Sequence, residues 1–555
     1  MTAAAPRPWE KSYPPGLRWD APIATATLGR LVDDAARLGT CAAIEFRGHN
    51  ISYAELGHMV DRTAAALLRR GIGPGARVAL YLPNTPYYPV AFFAAAKAGA
   101  TIVPLSPLDA ERTLAMKLDD SGARTLVAIN AGTFALMARK LLERGLVDRV
   151  ILGDEMRFGA AALAPEEDGR ITPFSALLND DAPPPPFPQV SEDDVALVQY
   201  TGGTTGTPKG ALLTHGNLTA AVSIYDAWGS KTVSYRPGEE RVICVLPLFH
   251  IYGLTSVLLR HLAAGNLILL RERFDAETTV RDIEEKRATI LSGVPTMWIA
   301  LTALTGIERR DLSSLRVPSC GAAPLPPEVA QRIERLFGKR LTGGWGMTET
   351  SPAGTGIPPG CDRVATIGLP LPGVVLEVVA LDDPHRVLPP GETGELRIKG
   401  PNVTKGYWNR PQETAAAFAD GFLLTGDIGR MDADGFFYLL DRKKDMIISG
   451  GFNVYPRVIE DAIYEHPAVE EAAVIGVADR YRGEAAKVFV KLRPGTRAFT
   501  LEELREFLAD RLGRHELPAA LEFRDSLPKT AVGKVSRREL VEEERRSAAT
   551  AEAAQ

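Results

Sequence analysis

The sequence predicts an α/β protein: a large N-terminal region of stacked mixed α/β sheets, a small β-region, and a small α+β C-terminal domain. Three observations carry this expectation. Short apolar runs alternate with helical patterns from about Leu28 to Val190 and again to about Trp345. The texture then changes to short strands and turns between Ala365 and Leu440. A compact tail of about 100 residues follows, the size of a separate small domain. At 555 residues the chain is too long for one ordinary core and divides into lobes.

Along the chain, "VALYLPN" (Val78–Asn84), "TIVPLSP" (Thr101–Pro107) and "TLVAIN" (Thr125–Asn130) read as strands of βαβ units, which implies parallel pairing under helices. "YYPVAFFAAAKAGATIVPL" (Tyr87–Leu105) is the most apolar window. Pro89, Lys97 and Gly99 interrupt it, so it reads as a buried helix running into a strand rather than a membrane span. "DDAPPPPFPQ" (Asp180–Gln189) is a stiff proline-rich connection. "LPGVVLEVVA", "GELRIKG" and "DGFFYLLD" supply the strands of the β-region. In the tail a helix starts near Pro456, "AAVIGVAD" and "AKVFVKL" are strands, and Thr500 with Glu503 forms a capping box for a last helix. "EEERRSAATAEAAQ" is polar and reads as frayed, with a disordered tail over 546–555.

Hydrophobic residues make up 45% and charged residues 24%, ordinary globular values. A net charge of −5 argues against nucleic acid as a partner. Cys41, Cys244, Cys320 and Cys361 are far apart without C-x-x-C spacing, which suits a reducing compartment and neither a zinc site nor a disulfide framework. The N-terminus lacks an apolar leader core. The expected location is cytoplasmic. Peripheral membrane contact and a homodimer are both compatible with the sequence.

"VQYTGGTTGTPKGALLTHGN" (Val198–Asn217) gathers small hydroxylated residues and glycines around one lysine. Glycines let backbone N–H groups approach phosphate oxygens, hydroxyls add donors, and the lysine adds a point charge. The Walker pattern does not fit, because Pro208 precedes Lys209, Gly210 follows it, and no Ser or Thr comes next. Ala211-Leu212-Leu213 reads as a second strand, with a helix only from about Asn217, its expected cap. The loop therefore joins strand to strand. A Gly/Thr-rich surface hairpin satisfies the same composition.

"GGWGMTETSP" (Gly343–Pro352) sets Glu349 among hydroxyls, a usual way to hold Mg²⁺ on a nucleotide. Trp345 offers a face for a base. The alternatives are a core tryptophan and a solvated turn. "LLTGDIG" (Leu423–Gly429) places Asp427 in a glycine turn, with Arg442 after it, and "LPKTAVGKVSRREL" (Leu527–Leu540) places a lysine after glycine. Singly these are weak.

Together, "YTGGTTGTPKG", "LPLFHIYG", "PSCGAAPLP", "GWGMTET", "GELRIKGPNVTKGYWN", "FLLTGDIG", "DRKKDMIISGGFNVYPRVIED" and "LPKTAVGKVSRREL" resemble, in order and over nearly the whole chain, the adenylate-forming superfamily. That superfamily includes acyl-CoA synthetases, luciferases and peptide-synthetase adenylation domains. The likeness is greatest to bacterial medium- and long-chain fatty-acid–CoA ligases, through "WEKSYPPG" and the "YTGGTTG" form of the loop.

The resemblance implies an N-terminal adenylation domain over 1–440, a hinge at 441–445 and a mobile lid over 446–545. Thr201, Gly202, Gly203, Thr204, Thr205, Gly206 and Lys209 would hold the ATP β- and γ-phosphates. Gly321, Ala322 and Ala323 would flank the adenine, with Trp345 stacked on it beside Gly346 and Met347. Thr348 would touch the α-phosphate, and Glu349 with Thr205 the Mg²⁺. Asp427 and Arg442 would bind the ribose. Lys534 would bridge carboxylate and nucleotide, Lys444 would be the hinge, and Gly451 would line the pantetheine tunnel. His250 is placed at the acyl-pocket wall, the alternative being a hydrogen-bonded core histidine. Trp345 stands where tyrosine is usual, and Cys320 where glycine or serine is common.

The implied reaction is ATP-dependent activation of a medium- or long-chain fatty acid as acyl-AMP, then transfer to coenzyme A. A carboxylate repels a thiolate, and a phosphate-linked leaving group removes that obstacle. Lys534 and Mg²⁺ would neutralise the anions that meet in step one. The thiol then needs the place Lys534 held, hence a lid behind a hinge. Phe249-His250 offers no anion for a substrate ammonium, so amino acids are disfavoured. A CoA ligase for an aryl or dicarboxylic acid, a luciferase-like oxidase and a carrier-loading enzyme share these motifs.

Overall fold

The computed structural model describes residues 7–154, 169–201, 208–232, 235–321, 327–363, 366–449, 452–479, 482–529 and 535–553. It divides into two compact units. One comprises Met1–Arg363, Ile367–Leu376 and Ile398–Leu423; the other comprises Val364–Thr366, Glu377–Arg397 and Leu424–Gln555.

Two seven-stranded sheets build the first unit. One runs in spatial order through Ile171–Pro173, Arg149–Gly153, Thr125–Ile129, Arg77–Leu80, Thr101–Pro104, Val195–Thr201 and Lys209–Thr214. Its paired strands are parallel until the last pair, which is antiparallel. The other runs through Thr342–Gly343, Val317–Cys320, Ile290–Gly293, Arg241–Cys244, Leu267–Leu270, Ala42–Phe46 and His49–Ser52. It too is parallel except for its final pair. The apolar window becomes the helix Tyr87–Lys97, buried on every face from Tyr87 to Ala96, and Thr101–Pro104 continues from it as a strand. Phe92 and Phe93 join one core with Val78 and Ile102 of the first sheet and Val242 and Ile268 of the second. Burying each phenyl ring stabilises this packing by about 1.5–3 kcal/mol. An all-round apolar helix is what a position between covered sheets requires. Among the described residues, no helix is long and apolar enough to cross a membrane.

Phe437–Arg442, Phe422–Met431 and Thr393–Lys399 are neighbouring strands whose residues fall in the second unit apart from Ile398, Lys399, Phe422 and Leu423. The C-terminal sheet orders Phe452–Val454, Ile447–Ser449, Gly483–Leu492 and Val469–Asp479, with Ala520–Phe523 parallel to Gly483–Leu492. Helices Pro456–Tyr464 and Leu501–Leu508 bury Ile459, Ile463, Leu504 and Leu508 on its valines. Thr500 and Glu503 form the expected capping box.

Three expectations need correction. The helix placed from Asn217 begins at His215, and Thr214 caps it. The Thr214 hydroxyl accepts from the Asn217 N–H at 3.0 Å, while the Asn217 side-chain oxygen accepts from the Thr214 N–H at 3.0 Å. Both residue types cap well, and this reciprocal pairing needs the hydroxyl first. The β-region also carries a short helix, Pro411–Ala416, opened by its proline. The tail expected to fray instead forms the helix Arg537–Ala553. Its Ala, Glu and Arg content favours that state, and Arg538 pairs with Glu542 one turn on.

Candidate active site

In the first unit, Thr201 pairs with Lys209 and Tyr200 with Gly210 across an antiparallel ladder, which closes the base of the glycine loop. Gly202, Gly203, Thr204, Thr205 and Gly206 lie outside the described residues. A Cβ on Gly210 would come within 2.5 Å of Val198, so the ladder admits only glycine there. Lys209 keeps 19% of its side chain exposed, forms an ion pair with Glu413 and stands 5.5 Å from the centre of the Tyr407 ring.

The segment after Gly343 doubles back on itself. The Thr355 N–H donates to the Trp345 carbonyl at 2.8 Å, and the Thr355 hydroxyl accepts from the Trp345 N–H at 2.9 Å. A Cβ on Gly346 would fall 1.4 Å from the Pro352 carbonyl oxygen, so the turn is closed to any side chain. Trp345 is 9% exposed, its ring against Gly354, so protein covers most of the indole. Met347 and Thr348 are half-buried, and a short 3₁₀ turn spans Thr348–Thr350.

Glu349 is 6% exposed, which excludes the solvated turn. Its carbonyl accepts from the Thr404 N–H at 2.7 Å, and Oε1 accepts from the Tyr407 hydroxyl at 3.0 Å. Among the described residues no group of three or more His, Cys, Asp or Glu is placed to hold a metal. A single buried carboxylate of fixed orientation fits Mg²⁺, which keeps waters and nucleotide oxygens as its other ligands.

His250 is half-buried at the end of a tight turn, its N–H donating to the Pro247 carbonyl at 3.1 Å. Nδ1 accepts from the Tyr252 N–H at 3.2 Å, which assigns the neutral ring's proton to Nε2. Two buried side chains hold this turn. The Asn84 amide bonds the Leu246 carbonyl and the Leu248 N–H, both at 2.9 Å, and Gln199 donates to the Phe249 carbonyl at 3.0 Å. A π-helical stretch, Tyr252–Leu259, follows. Gly321 faces Tyr252 so closely that a Cβ would sit 3.0 Å from the ring and hydroxyl, and burial pushes the Tyr252 pKa up. Ala322 and Ala323 lie outside the described residues. Cys320 is largely buried, and desolvation raises its thiol to about 12, which leaves it inert.

In the second unit, Asp427 and Arg442 are register partners on neighbouring strands, Arg442 Nε 2.5 Å from Asp427 Oδ1. Asp427 is fully buried and Arg442 is 43% exposed. Lys444 is exposed in the turn after this strand, between the Lys443 N–H, bonded to the Gly426 carbonyl at 2.8 Å, and the Asp445 N–H, bonded to the Arg442 carbonyl at 3.0 Å. Gly451 and Lys534 lie outside the described residues. Lys529 and Val535 pair at the base of the segment that carries Lys534.

The structure thus joins Lys209 to Glu349 through Tyr407, sets His250 beside Tyr252, which in turn faces Gly321, and pairs Asp427 with Arg442. Sequence reasoning gave no role to Tyr407, Glu413, Asn84 or Gln199. Tyr407 stands inside "GELRIKGPNVTKGYWN", a motif used for the resemblance, and that was its signal. Asn84 and Gln199 have none beyond being polar within apolar runs.

The AMP-binding enzyme family matches residues 31–408, and the AMP-binding enzyme C-terminal domain matches 458–534. The chain is 38% identical over 556 residues to a long-chain-fatty-acid–CoA ligase of Bacillus subtilis (strain 168), covering 97% of this chain and 98% of the relative. It is 37% identical to a feruloyl-CoA synthase of Amycolatopsis sp, covering 90% and 95%. The ATP-bound crystal structure of MatB from Rhodopseudomonas palustris superposes with a TM-score of 0.81 at 30% identity, covering 92% of this chain and 98% of that one. The chain belongs to the AMP-binding, adenylate-forming enzyme family and is an AMP-forming acid–thiol ligase that uses ATP, a carboxylic acid and CoA.

Proposed function

We propose that the acid is a medium- or long-chain fatty acid, activated as acyl-AMP with release of pyrophosphate and then passed to the CoA thiol. The observation that carries this reading is the uncharged run after His250. Ile251, Leu254, Val257, Leu258 and Leu259 are all buried, and the run from Phe249 to Leu259 contains no Asp, Glu, Lys or Arg. Such a wall suits an alkyl chain and leaves a second charged group uncompensated. The full-length likeness to long-chain ligases supports the same choice.

In this reading Thr201, Lys209 and the glycine loop between them take the β- and γ-phosphates. Gly321, Ala322, Ala323 and the Trp345–Met347 turn take the adenine, and Thr348 the α-phosphate. Asp427 and Arg442 take the ribose. Glu349 and Thr205 hold Mg²⁺, which when bound supplies charge neutralisation on the phosphate oxygens. Lys534 draws the carboxylate to the α-phosphorus, and losing one such contact costs about 3–4 kcal/mol of barrier. His250 guards the acyl entrance. Lys444 is the hinge for a lid over 446–545 that withdraws Lys534 and brings Gly451 to the pantetheine arm. Step two then proceeds without a second site, in a reducing cytoplasm.

A second reading, an aryl acid, is favoured by Thr255. It is fully buried three residues after Tyr252, and its hydroxyl has no partner among the described residues. A phenol would satisfy it. The test is pyrophosphate release with octanoate, palmitate, ferulate and a dicarboxylate, with and without CoA. The alkyl acids are expected to give the highest kcat/KM, with sustained turnover only when CoA is present. Ferulate exceeding both alkyl acids overturns the fatty-acid reading in favour of the aryl one.

A further inference from the structure

Lys209 and Glu349 are brought together by residues 404–408, which lie along the outer edge of strand Lys209–Thr214. Leu212 N–H donates to the Gly406 carbonyl at 2.9 Å, Trp408 N–H to the Gly210 carbonyl at 2.8 Å, and Ala211 pairs with Tyr407. The Tyr407 N–H donates to the Thr414 hydroxyl at 3.0 Å, which ties the same segment to the short helix carrying Glu413. Gly406 has φ 136°, and a Cβ there would strike Thr414 at 2.4 Å, so this junction is closed to other residues.

From this frame Tyr407 reaches two groups. Its hydroxyl donates to Glu349 Oε1 at 3.0 Å, and its ring lies 5.5 Å from the Lys209 ammonium. Glu413 takes the ammonium itself and stands 3.5 Å from Arg410, which also pairs with Asp120 at 2.9 Å. We infer that Tyr407 is a positioning residue that holds the metal carboxylate and the phosphate-loop lysine in register, and that Glu413 is a placeholder for the triphosphate on Lys209. Glu349 is oriented through its hydrogen bond with Tyr407, as outer partners orient ligating carboxylates elsewhere. Lys209 leaves Glu413 when phosphate oxygens of higher charge arrive. This inference rests on the reading that Lys209 meets triphosphate and Glu349 meets Mg²⁺.

Equilibrium binding of ATP without acid, by titration calorimetry over a series of Mg²⁺ concentrations, tests it without turnover. Tyr407→Phe keeps the ring and removes the hydroxyl. It is expected to raise the Mg²⁺ concentration that gives half-maximal ATP binding about tenfold, with ATP affinity at saturating Mg²⁺ within about twofold of the parent. Glu413→Gln, at a half-exposed position, is expected to tighten ATP binding about two- to fivefold by releasing Lys209. A parental Mg²⁺ midpoint in Tyr407→Phe overturns the inference. If that variant does not fold, Glu413→Gln decides, and unchanged or weaker ATP binding overturns it. Lys209→Ala and Glu349→Gln separate the two levels. If both bind ATP and Mg²⁺ as the parent does, the underlying reading fails; if both weaken while Tyr407→Phe does not, only the positioning role fails.

Discussion

His215 opens the helix after the glycine loop and is 2% exposed. Its Nδ1 accepts from the Leu28 N–H at 3.2 Å, which an imidazolium could not do. Burial pushes its pKa down to about 4, and the charge of Asp194 opposes only part of that shift. The unfolded chain takes up this proton near 6.5. Between about 6.5 and 4 the unfolded state therefore binds more protons than the folded one, and stability falls as pH falls. Above that window neither state is protonated and the contribution is complete. At pH 5 the loss from His215 is about 2 kcal/mol. His261, buried and held well below its usual value, acts in the same direction. The expected outcome is a lower urea midpoint at pH 5 than at pH 7, with a smaller difference in His215→Gln, which keeps an acceptor that does not titrate. Equal pH dependence in parent and variant would show that His215 does not titrate differently on folding. At this scale Lys209 and Glu349 stand out as candidates by residue type and local company. The contacts they make with Glu413 and Tyr407 do not, because an ion pair or hydrogen bond between distant segments leaves no periodic mark.

Among elements, the C-terminal helix Arg537–Ala553 is anchored by its first residue. Arg537 donates to both oxygens of Glu460, at 2.9 and 2.5 Å, and to Asp441 Oδ1 at 2.7 Å. Asp441 also accepts from the Arg457 N–H at 2.6 Å and the Arg442 N–H at 2.7 Å. Burial raises the Glu460 carboxyl above its ordinary value, while Arg537 is held firmly charged by its acids. Arg537→Met leaves two buried carboxylates without a counter-charge and is expected to destabilise the C-terminal unit by about 3–5 kcal/mol. Limited proteolysis and thermal melting measure this. Adding Glu460→Gln should recover part of the loss, and additive losses in the double variant would remove the ionic account. Element types were legible where the signal is local, as at the Thr500–Glu503 box. The cap at Thr214 was not, since Asn is locally the stronger cap and tertiary contacts chose otherwise. Asn217 has the further task of donating to the Pro401 carbonyl at 2.7 Å and the Val403 carbonyl at 3.0 Å.

For the whole molecule, the proposed function runs two half-reactions on one acyl-AMP, and the proposed lid motion would supply two arrangements of the groups that act on it. Lys444 is exposed in its turn and bordered by bonded residues on both sides, so a dihedral change there displaces the chain beyond it. Proline at this position fixes φ near −65° and restrains Lys443. Lys444→Pro is expected to give a single burst of pyrophosphate with little acyl-CoA, because the role proposed for Lys534 belongs to the first half-reaction alone. Acyl-CoA formation at the parental rate, measured with saturating CoA, would rule out Lys444 as the hinge.

By itself the sequence determined the α/β class, the order of the elements, the strand-to-strand placement of the glycine-rich segment and the family. Each of these rests on the period of apolar residues or on the spacing of glycines, hydroxyls and charges within one short window. Only the tertiary structure decided that Glu349 is buried and held by Tyr407, that Lys209 rests on Glu413, that the His250 turn is braced by Asn84 and Gln199, and that the last polar segment is helical. These contacts join segments distant in the chain. Their energy depends on burial and on geometry at the level of single hydrogen bonds, which packing sets and local composition does not encode.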